Sequence, residues 1–226
     1  MSLTSASLKR SVAAFVFPYR ELLDRTNWNA RWLRTIKESR FPLFANRLEM
    51  YRYVNSALIR GSPMEYLEFG VAGGDSMRAW CGINSCEDSR FHGFDCFTGL
   101  PEHWTAECPK GAFDRSGVPP NASDSRVAFH VGLFQDTLPI FLHGYHPKNP
   151  ILIHNDSDLY SSTLYTLATL DSRIADGTIV IFDEFWDVLH EYRALVDYCG
   201  AFRRTFEIVA ATARCVQVAV TLRRSS

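Results

Sequence analysis

The chain has 226 residues, of which 46% are hydrophobic, and this is enough for one sizeable core in a single α/β domain with a small appendage. Its formal net charge of -1 provides no overall field that would attract nucleic acid or an anionic membrane, and we expect neither as a partner. Because its 6 cysteines show no C-x-x-C spacing and no apolar run approaches the roughly 20 residues that span a bilayer, we expect a reduced, cytoplasmic protein.

Residues 18–60 are predicted to form two helices, which we assign to an N-terminal helical cap covering residues 1–60. Arginine and lysine interleave with aromatic side chains in this segment. Acidic residues dilute the basic patch, so a solvated helical face accounts for it better than nucleic-acid binding. The segment is suited to covering a sheet edge, closing over a substrate or forming a homodimer, and the aromatic residues Trp28 and Trp32 favour considering the homodimer.

A strand pattern gives way to a helix pattern at a cluster of glycines, Gly70, Gly73 and Gly74. These residues tolerate positive φ and let a ligand approach the backbone, while the free N–H groups of the following helix face that ligand. A nicotinamide fingerprint would require a second glycine at Ala72, and Glu68 would repel its pyrophosphate. S-adenosylmethionine (SAM) has no phosphate, and its ammonium group suits this acid.

The same stretch resembles the E-x-G-x-x-x-G motif of class I SAM-dependent methyltransferases. We therefore predict a cofactor-binding turn whose contacts are Glu68, Gly70, Gly73, Gly74 and Ser76. This stretch alone leaves open the alternative of a glycine turn that only packs a helix against a strand.

The second strand of this pattern, residues 90–94, ends in Asp95. An acid at this point in nucleotide-binding α/β folds hydrogen-bonds the ribose hydroxyls, and we predict that role for Asp95. Residues 96–125 then lose regular periodicity and are punctuated by glycine and proline. A loop of this length inside a compact domain is usually a functional lid or disordered. Because it leaves the cofactor strand directly, we predict a lid.

After a third strand at residues 127–131, Phe134 and Gln135 lie where such folds place adenine, and we predict both as cofactor contacts. Further strands and helices are predicted over residues 151–153, 161–173, 178–182, 187–198, 205–210 and 214–222. Five strand–helix alternations that end in a hairpin predict a Rossmann-like α/β fold. The pattern resembles the seven-stranded sheet of class I methyltransferases, so we expect a mostly parallel sheet with an antiparallel last strand.

Acidic residues follow several strands at the edge where open α/β sheets bind ligands. Asp156, Asp183 and Glu184 would repel one another unless a cation lay between them, and hard oxygen ligands suit Mg²⁺. A metal held by Asp156 would lower the pKa of a substrate hydroxyl, and Asp158 is our candidate general base. His154 is a second candidate base, ranked below Asp158. The alternative is that these acids cap the following helices, which accounts for one of them better than for all.

Three stretches resemble the macrocin O-methyltransferase (TylF-type) family. Residues 154–163 are similar to its H-x-D-x-D-L-Y-x-S-T motif, and residues 94–102 and 132–139 are similar to two further family stretches. The resemblance extends from about Glu65 to Glu184 and is weaker in the flanks. Several motifs in the right order are more specific than the glycine turn alone.

This resemblance implies methylation of a hydroxyl, typically on a sugar of a secondary metabolite, with SAM and a divalent metal. It places Asp156, Asp183 and Glu184 on the family's metal ligands and Asp158 on a candidate base. The sequence departs from the family at Glu184, where the family usually has a second Asp, and at Asn155, where it has an apolar strand residue.

Two functions remain open from the sequence. The first is a Mg²⁺-dependent SAM O-methyltransferase for a small hydroxylated molecule, formed by a domain over residues 61–226 with its lid loop at residues 96–125. The second is a non-catalytic SAM-binding or assembly module, favoured by Glu184 and by the unassigned N-terminal helices. A nicotinamide oxidoreductase is a distant third, because of Ala72 and Glu68.

Overall fold

A computed structural model describes residues 20–225 of the chain. The chain forms two compact units, which divide between Glu38 and Ser39. In the first unit the structure describes one helix, α1 (Arg20–Glu38). Within the described range, no helix combines the length and the apolar composition needed to cross a membrane.

The second unit is built on an eight-stranded sheet. Its strands are β1 (Leu43–Phe44), β2 (Glu65–Phe69), β3 (Arg90–Asp95), β4 (Val127–Val131), β5 (Ile151–Asn155), β6 (Thr178–Phe182), β7 (Arg204–Thr212) and β8 (Val218–Arg224). Their order across the sheet is β1-β7-β8-β6-β5-β2-β3-β4, and β8 alone runs antiparallel to its neighbours. The strand order reverses between β2 and β5, and open α/β sheets bind ligands at such a switch point.

Five helices accompany this sheet. They are α2 (Arg47–Tyr53), α3 (Asp75–Ile83), α4 (Phe134–Gly144), α5 (Tyr160–Leu170) and α6 (Glu191–Ala201). Helix α2 continues directly into a short π-helical segment, Val54–Leu58. Helices α2 and α3 contact each other, whereas α4, α5 and α6 contact one another in succession.

The two helix groups cover opposite faces of the sheet, as strand β2 shows. The ring of Tyr66 lies 5.5 Å from that of Trp80 in α3, and the ring of Phe69 lies 5.4 Å from that of Phe134 in α4. Because successive strand residues point to opposite faces, these contacts place α3 and α4 on different sides. Both faces of β2 are therefore buried, and burying Phe69 fully stabilises the fold by about 2 kcal/mol.

The observed sheet agrees with the predicted fold class, a mostly parallel sheet with an antiparallel last strand. Its eighth strand, β1, comes from the segment that we assign from sequence to the helical cap. Residues 39–60 belong to the larger unit, where Met50 and Tyr51 of α2 lie in the core. The apolar residues after Pro42 form a strand because β1 pairs in parallel with β7.

The segment between β3 and β4, residues 96–126, is described throughout and contains neither a helix nor a strand. Backbone hydrogen bonds nevertheless fold it back on itself. Leu100 N donates to Ala112 O at 2.9 Å, and the amides of Arg115 and Gly117 both donate to Phe97 O, at 2.9 and 2.8 Å. The predicted lid region is thus a loop with its own internal hydrogen bonds.

Candidate active site

A cavity of about 280 Å³ opens at the carboxyl ends of the parallel strands. Eight of the residues that we predict as site residues line it: Gly70, Asp95, Phe134, Gln135, Asp156, Asp158, Asp183 and Glu184. They come from the ends of β2, β3, β5 and β6 and from the start of α4. Parallel strands bring their carboxyl ends to one edge of the sheet, so residues far apart in sequence meet there.

Four predicted cofactor contacts lie outside this lining: Glu68, Gly73, Gly74 and Ser76. Glu68 is 1% exposed, and its burial raises the pKa of its carboxyl well above the usual value. Ser76 is buried beside Tyr51, with 3.5 Å between the two hydroxyl oxygens. Both side chains are buried and neither lines the cavity, so their direct contact with a cofactor stays a prediction.

The glycines of the turn make room for other parts of the chain. A Cβ on Gly70, whose φ is +90°, would overlap the backbone carbonyl of Asp156. A Cβ on Gly74 would lie 2.8 Å from Pro120 in the lid loop, and one on Gly73 would lie 3.1 Å from the Arg115 guanidinium. Glycine at these positions therefore allows β5 and the lid loop to approach the turn closely.

Asp95, the predicted ribose ligand, joins the glycine turn to the lid loop. Its Oδ2 accepts hydrogen bonds from the amides of Val71 and Ala72, both at 2.8 Å. Its Oδ1 accepts one from the amide of Phe97 at 2.7 Å. A carboxylate oxygen accepts two hydrogen bonds, so Oδ1 keeps capacity for a ribose hydroxyl.

The acidic residues fall into two groups of potential metal ligands that share Asp156. One group contains Asp156, Asp158 and Glu184, and the other contains His154, Asp156 and Asp183; in each, the ligand atoms lie within 4.8 Å of one another. The predicted set of Asp156, Asp183 and Glu184 is thus divided between the two groups. Consecutive residues at a strand end point in different directions, which separates Asp183 from Glu184.

Burial and mutual repulsion perturb these carboxyls strongly. Burial, followed by the charge of Asp183, raises the pKa of Asp158 to about 7 and that of Glu184 to about 9. The same two causes raise the pKa of Asp156 well above its usual value. Burial alone would also raise the pKa of Asp183, but interaction with His154 lowers it below the usual value. Repulsion between these carboxyls disfavours the ionised form of three of the four, and a cation between them would relieve it.

Several buried polar atoms here also find no hydrogen-bond partner within residues 20–225. They include Oδ1 of Asp183, Oε2 of Glu184 and both amide atoms of Asn155. Buried polar atoms are usually satisfied, so unpaired oxygens beside repelling carboxylates indicate a place for a cation. The carboxylate donors fit a hard divalent ion such as Mg²⁺.

His154 and two tyrosines form a buried network behind the acids. His154 Nδ1 lies 2.6 Å from the Tyr66 hydroxyl, and its Nε2 lies 3.4 Å from the Tyr51 hydroxyl. The same Nε2 is 3.7 Å from Asp183 Oδ1, which is too long for a direct hydrogen bond. We did not assign these tyrosines from sequence, because only the packing of α2 over the sheet brings Tyr51 to the site.

The loop over residues 96–125, which we predict as a lid and call the lid loop, contributes largely apolar residues to the cavity. Leu100, Pro101, Trp104 and Phe113 line it. Glu102 of the loop accepts a hydrogen bond from the Ser161 hydroxyl at the start of α5. The cavity therefore combines an acidic wall at the strand ends with an apolar wall from the loop.

Two comparisons of the sequence with known proteins both identify O-methyltransferases. A family model described as Macrocin-O-methyltransferase (TylF) matches residues 112–224. The 8-demethyl-8-(2,3-dimethoxy-alpha-L-rhamnosyl)-tetracenomycin-C 4'-O-methyltransferase of Streptomyces olivaceus is 30% identical, and the match covers 76% of this chain and 77% of that protein.

Solved methyltransferases share the fold. The O-methyltransferase NovP superposes with a TM-score of 0.60 at 23% sequence identity, over 80% of each chain. The calicheamicin methyltransferase CalS11 also gives a TM-score of 0.60 at 23% identity, over 88% of this chain and 92% of the other. The eight-stranded sheet described above is thus the Rossmann-like sheet of O-methyltransferases.

Proposed function

The chain belongs to the macrocin O-methyltransferase (TylF) family of SAM-dependent O-methyltransferases, and from that premise we propose that it methylates a sugar hydroxyl of a natural product with the help of Mg²⁺. The observation that carries the proposal is the meeting of Asp156, Asp158, Asp183 and Glu184 in one cavity with Gly70 and Asp95. Cofactor-binding and acidic residues line the same space, which is the arrangement that a methyl transfer between two bound molecules requires.

The cofactor would occupy the part of the cavity bounded by Gly70, Asp95, Phe134 and Gln135. Asp95 is held by three backbone amides, and this fixes the orientation in which Oδ1 accepts from a ribose hydroxyl. Phe134 packs edge to face against Phe69 of the sheet, which supports its ring as a wall for the adenine. When bound, SAM supplies the methyl group, whose bond to sulfur breaks as its bond to the acceptor oxygen forms.

Asp156 would be the central ligand of the cation, because it belongs to both groups of potential ligands. Glu184 would share the cation with Asp156, because the two belong to one group of potential ligands. Asp183 stays a proposed ligand from the family resemblance, although its nearest potential ligands are Asp156 and His154. Asp183 and Glu184 each have a buried oxygen that finds no hydrogen-bond partner among the described residues. The cation, when present, would lower the pKa of an acceptor hydroxyl beside it. Glu184 carries the charge of the Asp that the family usually has there, with one more methylene.

Asp158 is proposed as the general base that receives the proton of the acceptor hydroxyl on a carboxylate oxygen. It lies in a left-handed conformation, with a φ of 59°, between β5 and α5. Such strain at a non-glycine residue is uncommon and concentrates at functional sites. Its pKa of about 7 is suited to accepting a proton near neutral pH.

The tetracenomycin relative supports a sugar as acceptor, because its name specifies the 4'-hydroxyl on a rhamnosyl group. In this chain the apolar lid side, with Trp104 and Phe113, would cover a ring system attached to that sugar. The acidic side would then face the polar sugar hydroxyls. This division of the cavity supports a glycosylated natural product as the acceptor class.

Isothermal titration calorimetry with SAM, with and without Mg²⁺, tests the proposal, followed by turnover assays on rhamnosylated tetracenomycins. We expect SAM binding in both conditions and methyl transfer that chelators abolish and Mg²⁺ restores. Absence of any SAM binding would refute the methyltransferase assignment. Full turnover after complete removal of divalent ions would refute the metal assignment alone.

A further inference from the structure

Arg47 holds a fixed position at the rim of the cavity because it is the first residue of helix α2. The residue before the helix, Asn46, accepts a hydrogen bond from the amide of Glu49 at 3.1 Å. Glu49 in turn accepts one from the amide of Ala45 at 3.2 Å. Reciprocal capping of this kind fixes the start of a helix, so the backbone of Arg47 is held rigidly.

The rest of α2 places Arg47 beside the glycine turn. One turn further along, Tyr51 stacks on Trp80 of α3 with 5.1 Å between the ring centroids. The Tyr51 hydroxyl also lies 3.5 Å from the hydroxyl of Ser76, the second residue of α3. Residues four apart lie on the same helix face, so Arg47 and Tyr51 project toward the same end of α3.

Arg47 is also the only lysine or arginine among the described residues that line the cavity. Five carboxylates share that lining: Asp95, Asp156, Asp158, Asp183 and Glu184. Among the side chains that line this space, the Arg47 guanidinium is the positively charged partner that a ligand carboxylate would meet. SAM carries such a carboxylate on its methionine moiety, and burying it unpaired would be unfavourable.

The Arg47 guanidinium has N–H donors that can bind a ligand. Its Nη1 lies 4.0 Å from Asp183 Oδ2, beyond hydrogen-bond distance, and its side chain is 39% exposed. A guanidinium carries five N–H donors in a planar fork that matches a carboxylate. Arg47 therefore has both the position and the geometry to receive one.

We infer that Arg47 binds the carboxylate of the methionine moiety of SAM and so fixes the amino-acid end of the cofactor at the glycine turn. This inference rests on the proposed function, because it assumes that SAM occupies the cavity. Arg47 would then be the positively charged partner of the methionine carboxylate, and the backbone of the turn at Gly70 would be a second contact of the same moiety.

The test compares two ligands on each protein by calorimetry: SAM, and S-adenosyl-3-methylthiopropylamine, which is SAM without its carboxylate. We expect the wild-type protein to bind SAM roughly 10- to 100-fold more tightly, as for one charge-assisted hydrogen-bonded pair. Arg47→Met should bind the two ligands within about 3-fold of each other. Arg47→Lys should keep part of the preference, because it retains the charge without the fork.

Arg78→Met is the matched control. Arg78 also lies at the glycine turn, where its Nη1 donates to Gly73 O at 2.9 Å, but it does not line the cavity. This variant should keep the wild-type preference for SAM. Because both ligands are compared on the same protein, a partial loss of folding cancels.

Three results would overturn the inference. The first is a full preference for SAM in Arg47→Met. The second is an Arg78→Met variant that loses the preference as completely as Arg47→Met does, since the effect would then not be specific to Arg47. The third is a wild-type protein that binds neither ligand, which would refute the proposed function as well and is thereby distinguished from the first two.

Discussion

The indole Nε1 of Trp104 donates a hydrogen bond to Oδ2 of Asp187 at 3.0 Å. Trp104 belongs to the loop between β3 and β4, and Asp187 belongs to the segment between β6 and α6. The bond therefore joins the apolar wall of the cavity to the part of the chain that follows the acidic residues Asp183 and Glu184. It holds the loop in the position that closes one side of the cavity.

Replacing Trp104 with Phe removes the hydrogen bond and keeps an aromatic ring. We expect the KM for the acceptor to rise roughly 2- to 10-fold, as for the loss of one hydrogen bond, while the Kd for SAM stays unchanged. Asp187→Asn is the control, because its amide oxygen still accepts from the indole. An equal change for cofactor and acceptor would contradict a role of this bond on the acceptor side.

Replacing Asp156 with Ala removes the residue that both potential ligand groups share. We expect kcat to fall by more than about 100-fold, because the activation of the acceptor by a metal is lost, while SAM affinity stays largely intact. Differential scanning fluorimetry should show that Mg²⁺ raises the Tm of the wild-type protein and not that of the variant.

The same variant should be more stable than the wild type in the absence of divalent ions, because fewer buried carboxylates repel one another. Glu207→Gln is the control, since Glu207 is exposed and its separation from Arg223 is 3.9 Å. This change should leave kcat, the Tm and its response to Mg²⁺ unaltered. A Mg²⁺-dependent rise in the Tm of Asp156→Ala would count against Asp156 as a ligand.

Replacing Gly70 with Ala should destabilise the protein by at least about 2 kcal/mol, since the new Cβ would meet the backbone of Asp156 at a φ of +90°. Gly82→Ala in α3 is the opposite case, because no described atom beyond its own helix lies within 4 Å of the added Cβ. It should stabilise the protein by about 0.5 to 1 kcal/mol. Urea denaturation of both variants measures the difference, and equal effects would argue against the close approach.

A histidine pair on β3 and β4 should make stability depend on pH. His92 Nδ1 lies 3.2 Å from His130 Nε2, and aromatic rings surround both, including that of Phe141. Burial, together with the charges of His130 and Arg90, lowers the pKa of His92 to about 4. Burial also lowers the pKa of His130.

The sign of the effect follows from proton binding. Below about pH 6.5 the unfolded chain binds protons at these histidines that the folded protein does not. Their contribution to stability is therefore present at neutral pH and lost as the pH falls from about 6.5 toward 4. The urea-unfolding free energy of His92→Phe should change less than that of the wild type over this range. An unchanged pH dependence would show that His92 is readily protonated in the folded protein.

The alternation of strands and helices could be predicted from sequence because each element has its own local pattern of apolar and polar residues. Short apolar runs such as 178–182 correspond closely to β6 (Thr178–Phe182). The strand β1 was missed because two residues, Leu43 and Phe44, carry no periodicity. Only the free edge of β7, formed by residues far along the chain, makes a strand of them.

The candidate site was predictable in part for the same reason. Acidic residues that follow buried strands reach one edge of a parallel sheet, so Asp95, Asp156 and Asp183 could be grouped from sequence. The sequence could not predict which neighbouring side chain each of these acids faces. The burial of Glu68 outside the cavity lining could not be predicted either, because a two-residue alternation gives the face of a strand but not what covers that face.

By itself, the sequence determined the order of strands and helices, the edge at which the acids gather and the family to which the chain belongs, because each of these depends on residue types and short spacings. The tertiary structure alone decided that the glycines make room for β5 and the lid loop, that Tyr51 reaches His154, and that Arg47 faces the carboxylates. Those relationships depend on how α2 and the lid loop pack against the sheet. Such packing is set by contacts between distant segments, which no local pattern records.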